Sequence, residues 1–339
     1  MKCERKSDVS PDLPPVALSP KQPEGLRAQL SLESNAIWTD RMLEALQTGV
    51  KGKSWDSLMD KVWNPSHLRL GAWQVIRNDG APGVDHRSCE QLETELASEV
   101  SLLERQLREG TYQPQAVKRV WIAKAGRPEK RPLGIPTVRA RVVQATLRNV
   151  IEPIFEAEFV EHSYGFRPGR GANQALSRVE KLLSEGNTWV VDADIKGYFD
   201  NIPQDRLMKL LAQRISDGRV LALIEAFLTQ GVMEEGRDWQ PTTKGTPQGA
   251  VLSPLLANVY LHPLDLLAQS QGWRMTRYAD DFIIQCTSRA AAETALAEVR
   301  EWMEAAGLTL HPEKTRIVDA TVPGGFDFLG WHFERGYKW

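Results

Sequence analysis

The strongest constraint on the fold of this chain is a pair of acidic residues between two apolar segments, in RYADDFIIQC at residues 277–286. The flanking segments predict two short strands, which places Asp280 and Asp281 at the turn of a hairpin. Aspartate is common in turns, and one interpretation is that water solvates both charges. The other interpretation is that the pair holds a metal ion. The dipeptide alone is compatible with both.

A second acidic strand is predicted in VVDADIKGYFDNI at residues 190–202. Alternation along a strand puts Asp192 and Asp194 on the same face. A carboxylate in an apolar strand is costly unless it is paired, solvated or bound to a metal. Gly197 permits a sharp change of direction after the strand. The alternative for Asp194 is a cap on the helix that follows, although Asp205 lies nearer to that helix and is the better predicted cap.

These acids match the needs of a hard divalent cation. Mg²⁺ prefers oxygen ligands and takes one to three carboxylates together with substrate phosphates. Two such ions roughly 4 Å apart can activate an attacking hydroxyl and stabilise a leaving pyrophosphate. Asp194, Asp280 and Asp281 could supply the ligands if their two strands are neighbours in one sheet.

Basic residues are concentrated between Lys118 and Arg148, where nine Lys and Arg stand against one acid, Glu129. The whole chain of 339 residues has a formal net charge of only −2. A local excess of positive charge on a nearly neutral protein is typical of a surface that contacts phosphates. A solvated basic face is the alternative.

Cysteine usage and hydropathy exclude several classes of protein. The three cysteines, Cys3, Cys89 and Cys286, are few, widely spaced and odd in number. This argues against a disulfide framework or a zinc knuckle and favours a reducing compartment. No apolar run approaches the roughly 18–20 residues that span a bilayer, and no apolar segment follows the charged N-terminus. A cytoplasmic protein without a membrane partner is expected.

The chain divides by composition into three regions. Residues 1–30 are rich in proline and predict a disordered leader. Residues 31–110 predict a helical extension, which includes a long amphipathic helix that ends at Gly110. Strands and helices then mix without regular alternation, which favours an α+β fold over a doubly wound sheet.

Seven blocks between residues 78 and 333 resemble, in order and spacing, the reverse transcriptases of bacterial group II introns. The resemblance begins near NDGAPGVD (78–85). The blocks are KRPLGIPTVRARVVQ (130–144), SYGFRPGRGANQAL (163–176), VVDADIKGYFDNI, GTPQGAVLSPLLANVYL (245–261), RYADDFII, GLTLHPEKT (307–315) and FDFLGW (326–331). Any one block could arise by chance, whereas seven in order could not.

The resemblance implies a right-hand polymerase fold. Residues 111–339 would form fingers and palm, with an antiparallel palm sheet packed on helices. Relatives continue into a helical thumb, but this sequence stops soon after the last palm block. The thumb is therefore expected to be absent from this chain, and a separate thumb polypeptide becomes a candidate partner.

The resemblance also implies a catalytic centre. In the family the corresponding aspartates bind two Mg²⁺ ions, which Mn²⁺ can replace, and this assigns Asp194, Asp280 and Asp281 as metal ligands. Asp280 is expected to be indispensable and Asp281 more tolerant. Lys314 matches a lysine that protonates the departing pyrophosphate, and a solvated surface lysine is the alternative for it.

Four further positions match the family's deoxynucleotide-binding residues. Lys124 and Arg131 correspond to residues of the fingers that hold the triphosphate. Phe199 corresponds to the aromatic residue that packs on the incoming sugar and excludes a 2′-hydroxyl, with a place in the core as the alternative. Gln248 corresponds to a residue near the templating base pair.

Four arginines are predicted to contact the nucleic-acid backbone, a kind of contact that holds a polymer without recognising its sequence. They are Arg139, Arg141, Arg167 and Arg170.

The implied function is RNA-directed DNA polymerisation in intron mobility, in which deoxynucleotides are added to a primer 3′-hydroxyl on an RNA template. The partners would be the RNA template, the DNA primer, deoxynucleoside triphosphates and group II intron RNA, in a nucleoid or ribonucleoprotein particle of bacterial type. Three alternatives stay open: an intron RNA-binding maturase, a truncated inactive remnant, and a relative recruited to defence.

Overall fold

The computed structural model describes residues 3–5, 37–48, 54–123, 130–234 and 239–334. Most of the predicted leader and the predicted substrate residue Lys124 lie outside these ranges. The three described residues of the leader form a strand, β1 (Cys3–Arg5), that pairs with a strand near residue 332.

The described residues from Asp40 to Glu109 form five helices. They are α1 (Asp40–Thr48), α2 (Met59–Val62), α3 (Pro65–Asn78), α4 (Cys89–Thr94) and α5 (Leu96–Glu109). The long helix predicted before Gly110 is divided into α4 and α5 at Glu95. Gly110 ends α5 in the left-handed conformation, with φ of 73°, which confirms the predicted cap.

Strands and helices mix in the remainder, and the α+β prediction is confirmed. The strands are β2 (Val117–Ala123), β3 (Lys130–Ile135), β4 (Trp189–Asp194), β5 (Val232–Glu234), β6 (Arg274–Tyr278), β7 (Asp281–Cys286), β8 (Arg316–Asp319), β9 (Phe326–Phe328) and β10 (Trp331–Phe333). The helices are α6 (Val138–Glu156), α7 (Ala172–Ser184), α8 (Tyr198–Asn201), α9 (Gln204–Ala212), α10 (Gly218–Thr229), α11 (Ser253–Ser270) and α12 (Arg289–Ala305).

Three sheets organise these strands. The central sheet has the order β6-β7-β4-β8, and all of its pairings are antiparallel. A second sheet has the order β3-β2-β5, in which β2 and β3 form the basic hairpin. The third, β1-β10-β9, brings the first described strand to the last.

The central sheet is covered on both faces, and β4 and β7 contribute apolar residues to each side. Val191, Ala193 and Phe282 belong to the larger core, which α6, α11 and α12 complete. Val190 and Ile283 face a smaller core built on α7 and the third sheet. Burial on both faces explains the continuous apolar character of these strands.

One helix near this sheet was not predicted, and one predicted helix cap is wrong. Helix α7 was not predicted, because its apolar residues follow the glycine- and arginine-rich segment GFRPGRG without a strong start signal. Asp205 does not cap α9; that helix begins after Pro203, and Asp205 lies in its first turn. Within the described ranges, no helix combines the length and apolarity needed to cross a bilayer.

Candidate catalytic site

The predicted acidic residues meet at one end of the central sheet. Asp194 is the last residue of β4 and Asp281 is the first residue of β7. The two are direct partners in the antiparallel register, so their side chains lie on the same face. Asp280 lies in the turn before β7, between the paired residues Tyr278 and Asp281. The adjacency on which a shared metal site depends is therefore present.

The turn between β6 and β7 has an unusual backbone. Ala279 has a φ of 57°, in the left-handed region that non-glycine residues seldom occupy. Such a conformation persists only where the surrounding structure holds it, and it occurs often at functional sites. The turn that carries Asp280 is thus held in place by its surroundings.

Burial, together with repulsion from neighbouring carboxylates, raises the pKa of Asp280 and of Asp281. Burial, followed by the charges of Asp192, Asp280 and Asp194, raises the pKa of Asp281 to about 8. Burial is also the largest cause of the raised pKa of Asp280, and the charge of Asp194 adds to it. Lys314 opposes both effects. Burial is therefore the main cost of ionising these two carboxylates, and repulsion from their acidic neighbours adds to it.

Two basic side chains already contact these acids. The Nζ atom of Lys314 forms an ion pair with Asp194 Oδ2. Arg316 Nε lies 3.2 Å from Asp192 Oδ2, which draws Asp192 toward β8. Lys314 was predicted from the sequence to lie at this site, and the structure places it there.

The donor chemistry fits a hard divalent cation. In the described part of the chain, no three acidic, histidine or cysteine side chains are gathered closely enough to enclose a metal ion. Mg²⁺ does not require such a cage, because it keeps several waters and binds one or two carboxylates plus substrate phosphates. Asp194, Asp280 and Asp281 offer only oxygen donors, and their raised electrostatic energy would fall beside a cation.

Phe199 lies in the short helix α8, beyond the end of β4. Its ring packs edge-on against Phe166, with centroids 6.3 Å apart, and against Tyr198, with centroids 5.6 Å apart. Phe199 is half-buried and touches the larger core. One side of the ring is packed and the other is accessible, and contact of the accessible side with an incoming sugar stays a prediction. Phe166, whose φ is 60°, was missed; its only signal was its place in the SYGFRP block.

Gln248 connects the site to the basic hairpin. Its Nε2 donates a hydrogen bond of 3.2 Å to Oδ2 of Asp200. Asp200 lies in α8, two residues after Tyr198. The carbonyl of Gln248 accepts a hydrogen bond of 2.6 Å from the amide of Gly134 in β3. The same strand carries the half-buried Arg131 near its start. The structure thus joins the loop of Gln248 to the strand of Arg131.

Two of the four predicted nucleic-acid contacts are corrected by burial. Arg167 is 6% exposed; it pairs with Glu156 and donates to carbonyls of the preceding loop. Arg141 is 7% exposed and donates to the carbonyl of Ala81 at 2.7 Å. Both guanidinium groups stabilise loops from inside the protein, where a nucleic-acid strand does not reach.

The other two arginines remain partly accessible. Arg139 is bound by both carboxylate oxygens of Glu99, at 2.5 and 2.7 Å. Arg170 stacks over the ring of Tyr164, 5.7 Å from its centroid, and donates to the carbonyl of Glu161. Their contact with nucleic acid stays a prediction.

Comparison with known proteins adds to this geometry. The family profile of the reverse transcriptase (RNA-dependent DNA polymerase) matches residues 122–333. Protein YkfC of Escherichia coli K12 is 33% identical over 80% of this chain and 81% of its own length. The group II intron-encoded protein LtrA of Lactococcus lactis subsp. cremoris is 45% identical over 47% of this chain. This chain spans 26% of LtrA.

Among solved structures, a chain of the partial Cas6-RT-Cas1–Cas2 complex superposes with a TM-score of 0.47 at 25% identity. The match covers 74% of this chain and 43% of that chain. The family profile spans more than half of the present sequence and includes all three clustered aspartates. This chain belongs to the reverse transcriptase family, and its relatives include group II intron-encoded proteins.

Proposed function

We propose that this protein is an RNA-directed DNA polymerase of the group II intron type, which adds deoxynucleotides to a primer 3′-hydroxyl on an RNA template. One observation carries the proposal: Asp194 and Asp281 are register partners beside Asp280. In a member of this family, such a cluster is suited to phosphoryl transfer, which depends on positioning and charge neutralisation rather than on a covalent intermediate.

The sheets divide the work in this proposal. The central sheet serves as the palm, with the aspartates at its open end. The β2–β3 hairpin and β5 serve as fingers, which present basic side chains to the triphosphate. The bond between Gly134 and Gln248 couples the two parts.

Asp194, Asp280 and Asp281 would hold divalent metal ions, with Mg²⁺ as the expected ion and Mn²⁺ as a substitute. When bound, the ions would activate the primer hydroxyl and neutralise charge on the leaving pyrophosphate. Lys314, which pairs with Asp194, would donate a proton to the pyrophosphate as it leaves. The lysine must release Asp194 as the substrate complex forms.

The remaining residues would orient the nucleotide. Arg131, together with Lys124, would hold the triphosphate through charge-assisted hydrogen bonds. The accessible side of Phe199 would pack against the sugar and leave no room for a 2′-hydroxyl. Gln248, held by Asp200, would lie along the templating base pair.

Primer extension tests this function. A DNA primer annealed to an RNA template is incubated with deoxynucleotides and Mg²⁺, and product length is measured for the wild type and for Asp194→Asn and Asp280→Asn. Extension by the wild type and its loss in both variants are expected. Asp205→Asn is the matched control, because Asp205 is exposed and lies on α9, outside the central sheet. Extension that persists in both site variants would exclude this catalytic centre.

A maturase is the second candidate function, and the similarity to an intron-encoded protein favours it. A maturase binds intron RNA and needs no polymerase activity. Filter binding compares a group II intron RNA with an RNA of the same length and shuffled sequence, at fixed salt. Preferential binding that Asp280→Asn leaves unchanged would support this role, and equal binding of the two RNAs would exclude it.

A further inference from the structure

Arg277 is fully buried, although it carries a charge and immediately precedes the acidic turn in RYADD. Its side chain and that of Asp265 in α11 are both 0% exposed. Arg277 Nε and Nη2 donate to the two carboxylate oxygens of Asp265 at 2.7 and 2.5 Å. A buried ion pair contributes little net stability compared with apolar residues that fill the same space. Stability alone is therefore a weak reason for this pair.

The third nitrogen of the guanidinium group reaches the catalytic turn. Nη1 donates to the carbonyl of Ala279 at 2.8 Å and to Asn258 Oδ1 at 2.9 Å. Ala279 is the residue whose φ is 57°, and Asp280 follows it directly. The ion pair with Asp265 fixes the plane of the guanidinium group, and Nη1 transmits that orientation to the turn.

A second segment packs against the same turn from outside the sheet. The amide of Arg277 donates to the carbonyl of His162, and the amide of Tyr164 donates to the carbonyl of Arg277, both at 2.9 Å. Asn258 Nδ2 donates to the carbonyl of Gly165 at 2.8 Å. A Cβ atom on Gly165 would lie 2.3 Å from the Ala279 amide nitrogen, so only glycine allows this approach.

We propose that Arg277 is a positioning residue, which acts through the Ala279 carbonyl to hold the Asp280 carboxylate at the sheet end. Asp265 and Asn258 orient its guanidinium group, and Gly165 closes the turn from the other side. This inference rests on the proposed polymerase function, in which Asp280 is a metal ligand. It adds a residue that never touches substrate but determines the geometry of one that does.

The test separates positioning from stability. Arg277→Met combined with Asp265→Leu replaces the ion pair by apolar side chains, which such sites often tolerate. The double variant has no donor for the Ala279 carbonyl. A melting temperature close to that of the wild type, a kcat for primer extension about 100-fold lower and a KM for deoxynucleotide within about twofold are expected. A folded double variant with wild-type kcat would overturn the proposal.

The matched control is Arg148→Met with Glu152→Leu. This partly exposed pair on α6 likewise joins an arginine to a carboxylate, at 2.7 Å, and no described contact links it to the turn. Its kcat should equal that of the wild type. An equal loss of kcat in the control would mean that removal of any ion pair impairs the enzyme, which would also overturn the proposal.

Gly165→Ala provides a second variant in case the double variant fails to fold. The added methyl group would push against the Ala279 amide without removing any charge. A fall in kcat at an unchanged KM is expected, together with a folded protein. Unchanged kcat in a folded Gly165→Ala protein would contradict the proposal that the position of this turn determines the rate of primer extension.

Amide hydrogen exchange across residues 278–281 provides a readout that does not depend on polymerase activity. Exchange about tenfold faster than in the wild type is expected in the double variant, with helices remote from the turn unchanged. If the wild type does not extend primers, the proposed function fails. The exchange rates still decide whether Arg277 holds the turn, and unchanged exchange would refute that.

Discussion

The acidic end of the central sheet and the basic β2–β3 hairpin carry opposite charges and are built in opposite ways. Asp194 and Asp281 lie on strands that are packed on both faces. The fully buried Arg277 donates a hydrogen bond to the turn that carries Asp280. The hairpin is much more open, with Trp121 47% and Ile122 37% exposed. One region is held rigidly by its neighbours, whereas the other is accessible to solvent over much of its length.

This contrast follows from the cost of bringing like charges together. Carboxylates gathered at one sheet end repel one another, and burial adds a further cost for Asp280 and Asp281, so the surrounding structure must hold them in place. Arginine and lysine on an exposed hairpin are solvated and need no such support. In the proposed function, the acidic end would be preorganised for charge neutralisation, and the hairpin would adjust around a triphosphate.

The largest expected effect is at the acidic end. Asp280→Asn removes one negative charge without changing the shape of the side chain, and we expect the rate of single-nucleotide incorporation to fall by about 10³-fold. Asp281→Asn should cost less, because Asp194, its register partner, supplies a second carboxylate on the same face. Rapid-quench kinetics at saturating nucleotide would measure both rates. Equal rates for the two variants would contradict the ranking.

An intermediate effect is expected at Phe199, which lies between the two regions. Phe199→Val should leave deoxynucleotide incorporation nearly unchanged and raise ribonucleotide incorporation about 10- to 100-fold, because the smaller side chain makes room for a 2′-hydroxyl. The ratio of kcat/KM for the two nucleotides gives the result. Phe166→Leu tests whether the neighbouring ring holds Phe199 in position, and a smaller change in the same ratio is expected.

A smaller effect is expected at the basic hairpin. Arg131→Ala should raise the KM for deoxynucleotide about tenfold while kcat changes little, since in the proposed function the side chain would bind the triphosphate equally in the ground state and the transition state. The melting temperature should stay nearly constant because Arg131 is partly exposed. Lys209→Ala, at an exposed position on α9 outside the hairpin, is the control. A loss of kcat without a change in KM would show that the hairpin, too, is preorganised.

The smallest expected effect is on the pH dependence of the protein's stability, and it comes from His162, whose carbonyl accepts a hydrogen bond from Arg277. Burial lowers the pKa of His162 to about 4, below its ordinary value of 6.5. The unfolded chain therefore binds more protons between these values, so His162 lowers the free energy of unfolding as pH falls from 6.5 toward 4. His162→Phe should flatten this part of the stability curve by a modest amount. Urea unfolding at pH 7 and pH 5 measures it, with the exposed His86→Asn as control; an unchanged slope would contradict the assignment.

Sequence patterns predicted most individual elements because each pattern is local. Short apolar runs in VVDADI and FIIQC predicted β4 and β7, and Gly110 predicted the end of α5. The division of α4 from α5 was not predicted, since the apolar repeat continues through Glu95 while the capping box at Ser88 belongs to α4 alone. Arg167 and Arg141 could not be recognised as buried, because an arginine that pairs inside the protein looks the same in sequence as one that binds phosphate.

The sequence by itself determined which residues carry charge, which strands present them, and to which family the blocks belong. Tertiary structure decided that β4 and β7 pair with Asp194 opposite Asp281, and that Arg277 turns inward to Asp265 rather than outward to solvent. The physical reason is that periodicity records only what each segment buries. Which distant segments bury it together depends on the packing of the whole chain.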